Sequence, residues 1–311
     1  MRKIKKFLLI TIVILLLVGL GIGTFIGNFF YSLVISPKIS KNTAYADYIY
    51  DNTVNDDSWL TKKSNYSDQY IKSSDNLKLH SYVINNELKT NKWAVIVHGY
   101  GEEGKLMSQK AKYFYDMGYN ILIPDLRAYG KSEGDYIGMG WDDRLDVIKW
   151  INTIVENNPK SEIILHGTSM GGATVLMASG EDLPSNVKAI VSDCSYTSAW
   201  DVFSYELKTY LNIPSFPIMN FINLVTMFNA GYSIKDASAL EQVKKATVPI
   251  LYIHGCKDKF VPYSMMTELY EATNSPKERL YIRPGEHANS DIMRPNLYWK
   301  TINRFLQQYV S

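Results

Sequence analysis

Glu162-Ile163-Ile164-Leu165-His166-Gly167-Thr168-Ser169-Met170-Gly171-Gly172-Ala173-Thr174-Val175-Leu176-Met177 is the stretch whose reading decides the fold. Its first five residues read as a short buried strand, and the small and apolar residues after Gly171 read as a helix. The G-x-S-x-G pattern, Gly167 to Gly171, falls at the junction between them. The flanking glycines let the backbone turn sharply without side-chain collisions, so Ser169 stands exposed above the sheet as a nucleophile elbow.

Similar apolar runs recur on either side. They are Leu79 with Tyr82-Val83-Ile84, Trp93 to Val97, Asn120 to Ile123, Ala189 to Val191, Ile250 to Ile253 and Leu280 to Ile282. Between them lie segments long enough for crossover helices, including Lys105 to Asp116, Trp141 to Asn157 and Gly171 to Ser179. Strands alternating with helices predict an α/β fold with a mostly parallel central sheet covered on both faces. An aromatic-rich insertion, about residues 197–245, precedes the penultimate strand. Pro214-Ser215-Phe216-Pro217 divides it into two short helices, and its position predicts a small helical cap over Ser169. Trp200 and Phe216 are the expected cap or pocket residues.

A serine needs a base to take its proton and a third group to orient that base. His287, in Pro284-Gly285-Glu286-His287 after the last strand, is the expected base. Asp258, in the loop leaving the penultimate strand, is the expected acid, with Asp193 as the alternative. The expected oxyanion donors are backbone amides: the Met170 N–H after the nucleophile, and the Tyr100 N–H in His98-Gly99-Tyr100-Gly101. Asp125 and Arg127 are read as organising their own loops.

The N-terminus belongs to another environment. Arg2, Lys3, Lys5 and Lys6 precede Phe7 to Ile35, which carries no formal charge, and Phe7 to Ile26 alone is long enough to span a bilayer. Basic residues favour the cytoplasmic side, so the body of the chain is expected outside, held by an uncleaved anchor. Secretion after signal cleavage at Ala44-Tyr45-Ala46 is the alternative. Gly19, Gly23 and Gly27 form a smooth stripe along the anchor, of a kind that packs helices closely. The expected organisation is residues 1–35 as basic tail and anchor, 36–76 as linker or membrane-proximal segment, and 77–311 as the folded domain.

The 311 residues carry 33 basic and 31 acidic side chains; without the four N-terminal basics, 29 face 31. No basic block interleaved with aromatics follows, so no nucleic-acid partner is expected. Cys194 and Cys256 form no C-x-x-C or Cys/His cluster, which points away from structural zinc; both free thiols and one disulfide remain open. No cofactor or metal is expected, and the oligomeric state is not legible.

The chain resembles the alpha/beta-hydrolase superfamily. The resemblance covers Leu77 to the C-terminus and rests on His98 to Gly101, Pro124-Asp125-Leu126-Arg127-Ala128-Tyr129-Gly130-Lys131-Ser132-Glu133-Gly134, Gly167 to Gly171, Gly255 to Asp258, and Gly285 to His287. It is most similar to bacterial membrane-associated or exported hydrolases related to serine aminopeptidases, prolyl-oligopeptidase catalytic domains and acyl esterases. Ala128 and Tyr129 depart from the Gly and His usual in that family. The resemblance implies a serine hydrolase working through an acyl-enzyme, with small or medium carboxylic esters as first expectation. An aminopeptidase-like enzyme is the alternative, with Glu102 and Glu103 or Asp201 and Glu206 holding a substrate amine. A catalytically silent surface binding protein is a third reading.

Overall fold

The computed structural model describes residues 2–37 and 57–311. The Ala44-Tyr45-Ala46 site lies outside them. Helix α1 (Arg2–Val34) is long and apolar enough to cross a membrane, with a mean hydropathy of 2.8 over its most apolar window. A short helix α2 (Ser58–Lys62) leads into strand β1 (Ser67–Lys72). β1 pairs antiparallel with β2 (Lys78–Ile84), Tyr70 opposite His80. The expected linker over 36–76 is therefore too long, because residues 67–72 form an edge of the sheet. Strand β1, Ser-Asp-Gln-Tyr-Ile-Lys, is almost wholly exposed. A solvated edge strand needs no apolar alternation, so it leaves little pattern to read.

The remaining strands fall where the apolar runs predicted them: β3 (Lys92–Val97), β4 (Asn120–Pro124), β5 (Glu162–Thr168), β6 (Val187–Asp193), β7 (Ile250–Gly255) and β8 (Lys277–Ile282). The sheet order is β1-β2-β4-β3-β5-β6-β7-β8, antiparallel from β1 through β4 and parallel from there on. Successive residues of β3 face opposite cores. Val95 and Val97 join one with α4 (Asp143–Asn157) and α5 (Met170–Ala178), and Ala94 and Ile96 join the other with α3 (Ser108–Asp116) and the C-terminal helix. Central strands covered on both faces have no polar side to show, which is why their sequences are near-continuous apolar runs. Lys105 to Asp116 is not one helix: a 3₁₀ turn over Gly104–Met107 precedes α3.

The insertion between β6 and β7 contains α6 (Ala199–Tyr210), α7 (Ser215–Ala230) and α8 (Ala239–Val243). Ser198 caps α6 by accepting from the Asp201 N–H. The proline-bounded stretch separates α6 from α7 as expected, and Phe216 has non-helical backbone angles. The last elements are α9 (Tyr263–Ala272), α10 (Ser290–Met293) and α11 (Pro295–Leu306).

The C-terminal end of α1 is built into this body. Ile35 is fully buried in the core shared with α4 and α5. The Tyr100 hydroxyl donates to the Val34 carbonyl at 2.9 Å, and the Ile137 N–H donates to the Ile35 carbonyl at 2.8 Å. The glycine stripe is used as well. A side-chain carbon at Gly23 would overlap the Phe221 ring, and one at Gly27 would overlap the Phe221 carbonyl and crowd Val225. These glycines thus let α7 approach α1 within its own chain.

Candidate active site

Ser169 sits between β5 and α5 with φ 55° and ψ −118°. Such a conformation costs a non-glycine residue roughly 1–3 kcal/mol, and the surroundings must hold it. The Ser169 N–H donates to the Asp193 carbonyl at 2.8 Å, and the Ser169 carbonyl accepts from the Ala173 N–H at 2.9 Å. Gly171 packs so tightly under the β3 end that any side chain there would overlap the Val97 carbonyl. The elbow is therefore fixed from both sides.

Two loops bring the other groups to it. His287 Nε2 lies 2.8 Å from Ser169 Oγ, and His287 Nδ1 lies 2.7 Å from Asp258 Oδ2. Asp258 is buried, and its Oδ1 accepts from the Phe260 and Val261 N–H groups at 2.9 and 2.8 Å. Behind it, His254 Nε2 lies 3.1 Å from Asp258 Oδ2 and 2.8 Å from the Val261 carbonyl. Burial by itself would raise the Asp258 carboxyl, but the facing His287 and His254 rings outweigh it and hold it well below the usual carboxylate range. Burial works to lower the His287 imidazole, and the Asp258 carboxylate overrides that, placing it well above its ordinary value.

Asp193, the alternative acid, is turned away. It accepts from the Tyr298 hydroxyl at 3.0 Å, on the face of the sheet where that hydroxyl also meets His166 Nε2 at 2.9 Å. Burial pushes the Asp193 carboxyl up to about 6 despite nearby Lys110.

The His98–Gly101 loop adjoins the nucleophile: a side-chain carbon at Gly99 would sit 3.5 Å from Ser169 Cβ. Glu102, buried, accepts from the Gly99 N–H at 2.8 Å, and the Gly101 N–H donates to the Tyr129 hydroxyl at 3.1 Å. Tyr129, the departure from the family pattern, is thus buried under this loop and supports it. Tyr100 belongs to the same loop, and Met170 opens α5 directly after Ser169. Asp125 accepts from the Gly104 and Lys131 N–H groups and faces His80 at 2.7 Å. Arg127 donates two bonds to Asp146, at 2.9 and 3.0 Å. Both residues organise loops. His80 sits fully buried between Asp125 and Asp68.

Trp200 and Phe216 both lie in the cap helices, α6 and α7. A cavity of about 390 Å³ lies under the cap, walled by Phe203 and Leu207 of α6, Ile222 of α7, and Phe30, Leu33 and Val34 of α1. Phe260 completes the wall, and its ring centroid is 4.9 Å from that of His287. Trp200 and Phe216 are not among the lining residues. Trp200 packs at the edge of the core beneath Lys235, and Phe216 is 78 % exposed. An aromatic in an insertion cannot be assigned to a wall until the helix orientation is known, and the α1 contribution lies some 170 residues away in sequence from the cap.

The carboxylates considered for an amine site are engaged separately. Glu102 holds Gly99, Glu103 pairs with Lys105 at 2.6 Å, and Asp201 accepts from Thr197 and Ser198. Glu206 alone of the four borders the cavity. Both cysteines are free, Cys194 buried. Cys194, Asp258 and His287 bring three metal-ligating atoms within 4.8 Å of one another. Burial raises the Cys194 thiol to about 11, which keeps the sulfur protonated, and both His287 nitrogens are already engaged. The set is a poor fit to a metal.

A family model described as alpha/beta hydrolase fold matches residues 93–215, and one described as serine hydrolase (FSH1) matches residues 184–288. The chain belongs to the alpha/beta-hydrolase superfamily. Among curated relatives, Bacillus subtilis YqkD is 30 % identical over 194 residues, which cover 62 % of this chain and 64 % of YqkD. The match thus spans less than two thirds of that relative. A Saccharomyces cerevisiae protein called membrane protein YNL320W is 26 % identical over 75 % of this chain and 77 % of its own length. Among solved structures, the Pyrococcus furiosus esterase Pf2001 superposes with a TM-score of 0.66 at 23 % identity, covering 80 % of this chain and 94 % of the esterase. The Pyrococcus horikoshii acylaminoacyl peptidase gives 0.57 at 19 % identity, covering 85 % and 44 %. These two likenesses establish the fold.

Proposed function

We propose that the chain is a membrane-anchored serine esterase in which Ser169, His287 and Asp258 act as nucleophile, base and acid. The observation that carries this reading is the continuous relay from Ser169 Oγ through His287 to a buried Asp258. Ser169 attacks the acyl carbon while His287 takes its proton; His287 then donates that proton to the departing alcohol, and water releases the acyl group in a second half-reaction. The Met170 and Tyr100 N–H groups meet the developing oxyanion, each worth roughly 3 kcal/mol of barrier. Asp258 holds the His287 ring in the tautomer that leaves Nε2 open toward serine.

Ester rather than peptide cleavage is supported by the walls of the cavity, which are apolar apart from Glu206 and Tyr210, and by the dispersal of the four carboxylates that an aminopeptidase would bring together. A silent scaffold has no use for a strained serine aligned with a base. The burial of Ile35 and the Tyr100–Val34 bond favour an uncleaved anchor, since they make the end of α1 part of the folded body. The basic residues before Phe7 favour placing that body outside the cell.

The decisive experiment labels the full-length protein with a serine-directed phosphonate and measures p-nitrophenyl butyrate hydrolysis, with Ser169→Ala as control. The variant should fold, escape labelling and lose at least about 10³-fold in turnover. Full labelling of Ser169→Ala would remove Ser169 as the nucleophile.

A further inference from the structure

The insertion has a property that a water-facing cap does not need. From Thr209 to Ile234 there are 26 consecutive residues without a formal charge, covering the end of α6 and all of α7. Along α7, Phe216, Leu224 and Phe228 are 78, 53 and 90 % exposed, and Met227 beside them is half exposed. The spacing of Leu224, Met227 and Phe228 puts them on one stripe of the helix, and Phe216 is exposed at the kinked start of α7. An exposed apolar stripe of this kind marks an interaction surface.

The contacts with α1 identify what covers it. Gly23 lies against Phe221, and Gly27 against Phe221 and Val225, so residue numbers on the two helices rise together. The Phe216 end of α7 therefore points toward the N-terminal, membrane-spanning part of α1. With Phe7 to Ile26 filling a hydrocarbon layer of about 30 Å, Gly23 lies about 4.5 Å inside its outer edge. Phe221 is at that depth, and the turn containing Phe216 lies deeper. The exposed stripe also continues the apolar shell of α1, where Phe25 and Phe29 are likewise exposed.

The cavity lies in the angle between these helices. Phe30, Leu33 and Val34 form its α1 side, Leu207 of α6 and Leu211 just after that helix form the facing side, and Phe260 carries its wall up to His287. A soluble ester has no need of a binding wall contributed by a membrane helix.

We propose that the α6–α7 hairpin is immersed in the outer leaflet beside α1, and that the cavity takes the acyl chain of a bilayer-resident lipid ester directly from the membrane. The inference rests on the serine-esterase reading and names its substrate class. The Ser169 Oγ–acyl carbon bond forms as the lipid ester C–O bond breaks, and the serine proton passes through His287 to the lipid alcohol. Water then adds to the acyl carbon, returning a proton through His287 to Ser169 and releasing a free fatty acid.

The test uses the full-length protein in vesicles of phosphatidylcholine and phosphatidylglycerol carrying diacylglycerol and monoacylglycerol. Fatty-acid release is followed by mass spectrometry, and p-nitrophenyl butyrate turnover is measured on the same samples. The parent should release fatty acid from the vesicles. The Leu224→Asp/Phe228→Asp variant should lose at least about tenfold of that release, because charge on the stripe opposes immersion, while keeping butyrate turnover within about twofold. Phe216→Asp, at the tip, provides a second variant with the same expectation should the first fail to fold, as judged by butyrate turnover. Butyrate turnover without fatty-acid release from vesicles overturns the proposal, as does undiminished release by folded stripe variants. Absence of both activities together with absence of phosphonate labelling in the parent overturns the esterase reading itself.

Discussion

Replacing Asp258 by Asn separates the orienting acid from a carboxylate that is merely nearby. Asp258 Oδ1 accepts two backbone N–H groups, from Phe260 and Val261, while Oδ2 faces His287 Nδ1 at 2.7 Å. An asparagine amide must keep its oxygen toward the two N–H donors. The flipped amide would leave both of them facing an NH₂ group, at roughly 1–3 kcal/mol for each buried donor left unsatisfied. The NH₂ group therefore takes the Oδ2 position and donates to His287 Nδ1. The ring is then forced into the tautomer with its proton on Nε2, aimed at Ser169 Oγ, where it cannot accept the serine proton. The same substitution in a serine-protease triad costs about 10⁴-fold in kcat, which corresponds to about 5 kcal/mol of barrier. Asp193→Asn removes a partner of Tyr298 and leaves the His287 tautomer alone, so its turnover should fall by less than about tenfold. The assay is kcat/KM on p-nitrophenyl butyrate for both variants, with circular dichroism and melting curves to establish folding. Greater damage from Asp193→Asn, with both proteins folded, would refute the assignment of the acid.

The acid limb of the pH–rate profile should lie above the ordinary imidazole value, because the base must be neutral and Asp258 raises the His287 ring; in Asp258→Asn the residual activity should titrate at lower pH. The linked stability follows the usual sign: the depressed Asp258 stabilises the fold above the unfolded carboxylate value, and that contribution is lost as pH falls through its folded pKa. Leu207→Ala enlarges the cavity and removes an apolar wall, so kcat/KM for long-chain p-nitrophenyl esters should fall by roughly 10- to 100-fold relative to acetate; an unchanged chain-length profile would move the acyl site elsewhere. Protease added to wall-stripped cells should reach the hydrolase body while Arg2 to Lys6 stay protected, and protection of the body would reverse the orientation.

Much of this protein was written locally. A strand, two glycines around a serine and a following small-residue helix are all short-range features, so the elbow was legible from residues 162–177 alone. The buried strands announced themselves because both of their faces are covered, whereas β1, a solvated edge, gave no pattern. That His287 and Asp258 would lie beside Ser169 was legible because each occupies a loop at the end of a recognisable strand. The walls of the cavity were not legible, since they depend on how three helices turn about their axes. Trp200 and Phe216 lie in the expected insertion, yet the cavity beside it is lined by Phe203, Leu207 and Phe260 instead. Sequence also identified an apolar N-terminal helix with a glycine stripe, but only tertiary packing assigned Gly23 and Gly27 to Phe221 and Val225 and buried Ile35 in the hydrolase core. The Gly23 and Gly27 contacts join residues about 200 positions apart and the Ile35–Ile137 contact residues about 100 apart, and no local propensity encodes which smooth surface will meet which ring.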